Sequence, residues 1–427
     1  MEFLYINYYL FHFYIFFFFF FVGMVEAAPD WNQSFFDACK TRNISVVKTL
    51  INRYVPLTND VFCLACGEAD VEIVEFLIKK NADVSGRSDT QHTPLYVACE
   101  RGTVETAACL LRHGANINDA LLDGSTPLFI SSALGRSAFV QHLLANLASV
   151  DQARVATNCT PLFISCQEGH LEVVKLLIKH GANVNSFTST GTSPLFVACG
   201  EGYLSIVKVL LSEGAKVNKQ DVDGISPLLI SCFARKTEIA HLLIQHKADV
   251  NMFDSEGVTP LHMACQDIDE EDNEYNVDVD MIYLLLQNGA LVDKKNRYGR
   301  TPLDVHCRGR VNITAIQFLL SHGARGNSTY DEFCNLSSFL LAKGNTLVTA
   351  FLYERVGWSP EKYACETGLV PWSTSNNGMW PHEHQKAVES MLFLAHGPDA
   401  SLCEDVVLHI LAFLRWGWVT NTKKKKK

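Results

Sequence analysis

A chain of 427 residues with 48% hydrophobic side chains is long enough for two or three globular domains, or for a repeat array in which each unit buries its apolar face only against its neighbours. The formal net charge is −10, and without the terminal run Lys423 to Lys427 it would be −15. No basic stripe is present, which excludes nucleic acid as a partner.

Residues 3–22, FLYINYYLFHFYIFFFFFFV, are apolar over about the length that spans a bilayer. Three readings stay open for the segment 1–23. It is a membrane anchor; or it is a cleaved signal peptide, with small residues around Val25-Glu26-Ala27; or it is a translated leader ahead of a start at Met24. The positive charge that usually precedes a signal is missing, and Glu2 is acidic.

From residue 31 to 328 the chain repeats one pattern, clearest in NCTPLFISCQEGHLEVVKLLIKHGANVNSFTST at 158–190. Thr160 can cap a helix whose first position holds Pro161, where a missing N–H costs nothing. Gly169 turns the chain back, a second helix runs with Leu171, Val174 and Leu177 on one face, and Gly181 stops it. The Thr-Pro or Ser-Pro pair recurs at Thr93, Thr126, Thr160, Ser193, Ser226, Thr259 and Thr301, at spacings of 33, 34, 33, 33, 33 and 42. Two earlier units, starting at Ser34 and Val61, lack the proline, as expected of an end exposed to water. That makes nine units. With a period of 33 that carries two helices and a turn on variants of TPL-x-x-A-C-x-x-G-H-L-E-V-V-K-L-L, the chain resembles the ankyrin-repeat family. The resemblance implies an all-α ankyrin solenoid, two helices and a projecting finger loop per unit, and a binding rather than a catalytic function.

Eight cysteines, Cys39, Cys66, Cys99, Cys166, Cys199, Cys232, Cys265 and Cys307, fall on one repeat position, and Ser132 replaces them in the fourth unit. A residue repeated once per layer is a small buried hydrophobe, and layers stand too far apart for disulfides. This points to a reducing, cytoplasmic location. Two units depart from the pattern. Gln91 stands where most units have Gly, so the third finger should be less tightly turned. NLASV replaces the usual Gly-Ala, so the fourth layer should be the least regular of the middle ones. Members of the family often carry His two residues after the Pro; here that position holds Tyr96, Phe129, Phe163, Phe196 and Leu229, and only His262 matches. In the eighth unit an insertion places eight acidic residues between Asp267 and Asp280. Its sixth and twelfth positions from Asp267 are Asp272 and Asp278, not the Gly and Glu of a calcium loop, so it reads as a solvated acidic loop.

Closing helices are expected over 329–356, a linker over 357–380, a helical tail over 381–418 and a basic end over 419–427. In the tail, Ser401 and Glu404 form a capping box, and Leu402, Val406, Ile410 and Leu414 resemble the opening helix of an F-box. That resemblance implies a Skp1-type adaptor of a cullin ubiquitin ligase as partner; Cys403 stands where the family has Pro, and the later F-box helices are absent. No cofactor, metal or catalytic constellation is expected; His382-Glu383-His384 lacks the four-residue spacing of a zinc protease.

Binding should use what the repeat leaves free: the residues flanking the finger Gly and those after the repeated Cys. Arg297, Tyr298 and Arg300 suit an interface hot spot. Glu256 and Val258, and Asp223 and Ile225, hold the same finger slots. Glu100 and Arg101, Gln167 and Glu168, and Phe233 lie on the groove side. The favoured reading is a scaffold for a protein partner. Its alternatives are a ubiquitin-ligase substrate receptor and a membrane-tethered adaptor.

Overall fold

The computed structural model describes residues 31–266, 278–308 and 312–324. Among the described residues every regular element is an α-helix. The chain divides between Thr190 and Gly191 into two compact units. The first contains five helix pairs: α1 (Trp31–Lys40) with α2 (Ile44–Arg53), α3 (Asn59–Glu68) with α4 (Val71–Lys79), α5 (Pro94–Glu100) with α6 (Val104–Arg112), α7 (Pro127–Ala133) with α8 (Ser137–Ala145), and α9 (Pro161–Gln167) with α10 (Leu171–Lys179). The second contains four: α11 (Pro194–Glu201) with α12 (Leu204–Ser212), α13 (Pro227–Phe233) with α14 (Thr237–Gln245), α15 (Pro260–Cys265) with α16 (Val279–Gln287), and α17 (Pro302–Arg308) with α18 (Ile313–Ser321). These nine pairs are the nine sequence units, and the fold is an ankyrin-type solenoid.

Capping explains where the first helix of each pair begins. The hydroxyls of Thr93, Thr126, Thr160, Ser193, Ser226 and Thr259 each accept from the N–H three residues on, with Pro at the next position. Thr58 does the same for α3 without a proline, so that helix starts at Asn59 rather than at Val61. The added turn is used: Asn59 Nδ2 donates to the Arg87 carbonyl, and Asp60 accepts from the Asp89 N–H. Likewise α1 starts at Trp31, three residues before Ser34.

The second helices end alike. From the second pair on, a left-handed residue follows each cap, and the next N–H returns to a leucine carbonyl in the last turn, as in Ala115 to Leu110 and Ala182 to Leu177; in the first pair Val55, directly after the cap, makes that bond to Leu50. In the fourth pair Leu147 takes that left-handed place at φ +66°, and Ala148 N still reaches Leu143 O at 3.0 Å. The expectation of an irregular fourth layer is therefore overturned, because the surrounding hydrogen bonds impose the conformation on a residue that resists it. Gln91 corrects the third finger in the same way. It sits at φ +65° and closes the same tight turn as the glycines, with Gln91 N on Ser88 O and Ser88 N on His92 O.

The core is a stack of equivalent positions. The leucine after each proline is buried, from Leu95 to Leu303, as are paired residues on the second helices such as Val173, Val174 and Leu177. Cys39, Cys66, Cys99, Cys166, Cys199, Cys232 and Cys265 are all buried, and so is Ser132, whose hydroxyl donates to Leu128 O. Polar side chains also cross between layers of the first unit. Arg136 donates to the carbonyls of Cys99 and Gly102, and His170 Nε2 to that of Ala133, near the C-terminal ends of the preceding first helices, where a cation is favoured.

Candidate partner-binding surface

Each finger is a short turn closed by a left-handed residue three positions before the proline, as at Gly124, Gly224, Gly257 and Gly299. In the fifth unit Asn158 fills that place at φ +53°, and the turn is one residue longer, closed by Arg154 N on Cys159 O. This extra residue accounts for the single spacing of 34. Neighbouring fingers are tied by main-chain hydrogen bonds: Val155 N to Asp123 O and Ser189 N to Thr157 O in the first unit, and Ser255 N to Asp223 O and Arg297 N to Glu256 O in the second. The approach is close. At Gly124 an added Cβ would stand 2.8 Å from Val155 N. Fingers bound to each other in this way present their exposed side chains on a fixed frame.

The sequence-selected residues fall into three places. In the second unit Glu256, Arg297, Tyr298 and Arg300 form one cluster. Arg297 pairs with Glu256 at 3.0 Å and donates to the Tyr298 hydroxyl at 2.8 Å. Both guanidiniums lie over the tyrosine ring, Arg297 at 4.8 Å and Arg300 at 5.4 Å from its centroid. Asp223, Ile225 and Val258 belong to the neighbouring fingers. Asp223 is exposed, whereas Ile225 and Val258 are half-buried and donate their N–H groups to Asp221 and Asp254. At the helix ends of the first unit, Arg101 pairs with Glu100 at 2.9 Å and Gln167 donates to Glu168 at 3.2 Å. Phe233 is half-buried at the end of α13. Phe253 has Lys294 over its ring at 4.8 Å.

Sequence reasoning missed two ion pairs between fingers of the first unit, Arg87 with Asp119 and Arg154 with Asp123. A signal existed, since each pair is separated by about one repeat. Burial would raise the Asp123 carboxyl, yet hydrogen bonds from the Ser125 N–H and hydroxyl, together with Arg154, hold it below the usual value. It missed the last pair's cap as well: Asp304 accepts from the N–H and hydroxyl of Thr301, doing the work of the imidazole at that position. His262 joins its own cap to the next finger. Its Nδ1 accepts from Thr259 N–H, so Nε2 carries the proton and donates to Arg300 O at 3.0 Å. Burial holds its pKa below the ordinary value.

The thiols are poor candidates for chemistry. Cys63 and Cys66 stand three apart on α3, the spacing of a redox motif, but burial pushes Cys63 up to about 12 and Cys66 well up too. Among the described residues no group of His, Cys, Asp or Glu is arranged to hold a metal ion.

A family model described as Ankyrin repeats (3 copies) matches residues 62–154, 128–221 and 214–275, and one described as Ankyrin repeat matches residues 256–297. The chain belongs to the ankyrin-repeat family. No curated protein matches it. As an ankyrin-repeat protein it carries modules that generally mediate protein–protein interaction. Among the described residues no helix is long and apolar enough to cross a membrane. The N-terminal segment 1–23, most of the acidic insertion, and the tail with Leu402, Val406, Ile410 and Leu414 lie outside the described residues.

Proposed function

We propose that this ankyrin-repeat protein is a non-enzymatic scaffold that holds a protein partner on its finger loops and on the ends of its first helices. The observation that carries the reading is the cluster of Arg297, Tyr298 and Arg300. A tyrosine 53% exposed whose ring meets two guanidiniums, on a finger hydrogen-bonded to its neighbour, is a preorganised anchor of the kind that dominates interfaces. Glu256, Val258, Asp223 and Ile225 extend that surface in the second unit. Glu100, Arg101, Gln167 and Glu168 offer a polar one in the first, and Phe233 an apolar contact. Photo-crosslinking amino acids placed at Tyr298, Phe233 and Glu100, with Lys175 on α10 as control, test it. Cross-links to one protein from the first three and not from Lys175 are expected; equal yields at all four positions would refute the assignment.

Buried reduced thiols such as Cys99 and Cys166 favour a cytoplasmic location. A second reading, a cullin-ligase substrate receptor, is supported by the spacing of Leu402, Val406, Ile410 and Leu414 alone. It requires that deletion of residues 400–418 abolish binding of a Skp1-type adaptor while the repeats melt as before. Membrane tethering rests on the composition of residues 3–22 and requires a mature chain that retains them, which intact mass decides.

A further inference from the structure

The geometry points to an acidic peptide segment as the partner seated on the last two fingers, with Lys294 and Arg300 as its carboxylate-binding groups. This rests on the scaffold reading and adds the partner's chemistry. In the first unit the finger arginines Arg87 and Arg154 are neutralised by Asp119 and Asp123 of adjoining fingers. In the second, Glu256 neutralises Arg297. Lys294 and Arg300 differ. Neither meets a carboxylate at ion-pair distance among the described residues, although the chain as a whole has 46 acidic residues against 36 basic ones. Each cation instead lies on an aromatic face, Lys294 on Phe253 and Arg300 on Tyr298, and both rings are about half exposed. Stacking orients a guanidinium while leaving its in-plane N–H donors for a bidentate carboxylate.

The rings add flat apolar surface beside the two cations. The fitting ligand therefore carries carboxylates next to an apolar or aromatic residue. A polyphosphate chain fits less well, because it needs a row of cations and this chain is net negative.

Fluorescence anisotropy of the full chain with the labelled peptide Glu-Glu-Phe-Glu-Glu-Leu-Glu-Glu tests the proposal, with the all-Gln counterpart as control. Saturable binding is expected to be about tenfold or more tighter for the Glu peptide and to weaken as salt rises. These comparisons need no variant and so do not depend on variant folding. The double variant Lys294→Gln with Arg300→Gln should weaken binding about tenfold, whereas Lys175→Gln leaves it unchanged. Equal binding of the Gln peptide, indifference to the double variant, or tighter binding of a single-stranded oligonucleotide or of phosphatidylserine vesicles would each overturn it. If cross-links at Tyr298 persist while the Glu peptide fails, only the partner's chemistry is wrong; if both fail, the scaffold reading falls with it.

Discussion

Leu147 holds a backbone conformation that costs a β-carbon about 1–2 kcal/mol, in a place where six of the seven other left-handed helix ends use glycine or asparagine and one uses Lys247. Its side chain is 85% exposed and returns little through packing. Leu147→Gly should therefore stabilise the fold by about 1 kcal/mol despite the greater freedom of glycine in the unfolded chain, read as a higher midpoint in urea. Gly114→Ala, at the equivalent place in the third layer, should shift the midpoint the other way. His262 makes a prediction of opposite character. Its pKa is lowered in the fold, mainly by burial, so the unfolded chain takes up the proton more readily. The stability it contributes is complete above the unfolded value near 6.5 and is lost as the pH falls through the lower folded value. In His262→Phe, a residue the same position accepts at Phe129 and Phe163, that part of the pH dependence should vanish from melting curves taken between about pH 7.5 and 5.

At the scale of the helix, capping and packing are separable. Thr126→Ala removes the hydroxyl that accepts from Phe129 N–H and should cost about 1 kcal/mol. Cys99→Ser should cost no more than that, since Ser132 shows how a hydroxyl at this position is satisfied by the carbonyl four residues back. Cys99→Leu, by contrast, overfills a site with no exposed surface and should cost about 1–3 kcal/mol in the same denaturation experiment. These elements were legible because their causes are local: a hydroxyl three residues from its donor, a proline at the first turn, leucines at helical spacing. Gln91 and Leu147 misled because a left-handed backbone there is enforced by hydrogen bonds whose donors and acceptors lie on both sides of the residue, and not by the residue's own preference. The finger surface was legible only as a set of slots. That Arg297, Tyr298 and Arg300 converge with Glu256 could be guessed from their spacing. That Lys294 lies on Phe253, or Arg154 on Asp123, depends on side chains of different layers meeting, which no single period contains.

Over the whole molecule, stability should be distributed rather than pooled. Within each unit a described layer touches only adjacent ones, so an outer layer has fewer described neighbours to hold it closed. At the start of the described residues Trp31 stacks on Tyr54 at 4.3 Å, with both rings partly exposed. Trp31→Ala should loosen α1 and α2 while leaving the inner layers' protection from amide exchange almost unchanged. The recurring buried thiol turns this into something that can be timed. A sulfhydryl with no exposed surface, held up to about 12 as at Cys39 and Cys99, reacts with a labelling reagent only when its own layer opens. The chain thus carries a chemical clock at the same position of every layer but the fourth, where Ser132 stands instead. Mass-resolved thiol labelling should find Cys39 running faster than Cys99, and the order of the remaining clocks would trace the route by which an ankyrin array comes apart from its ends.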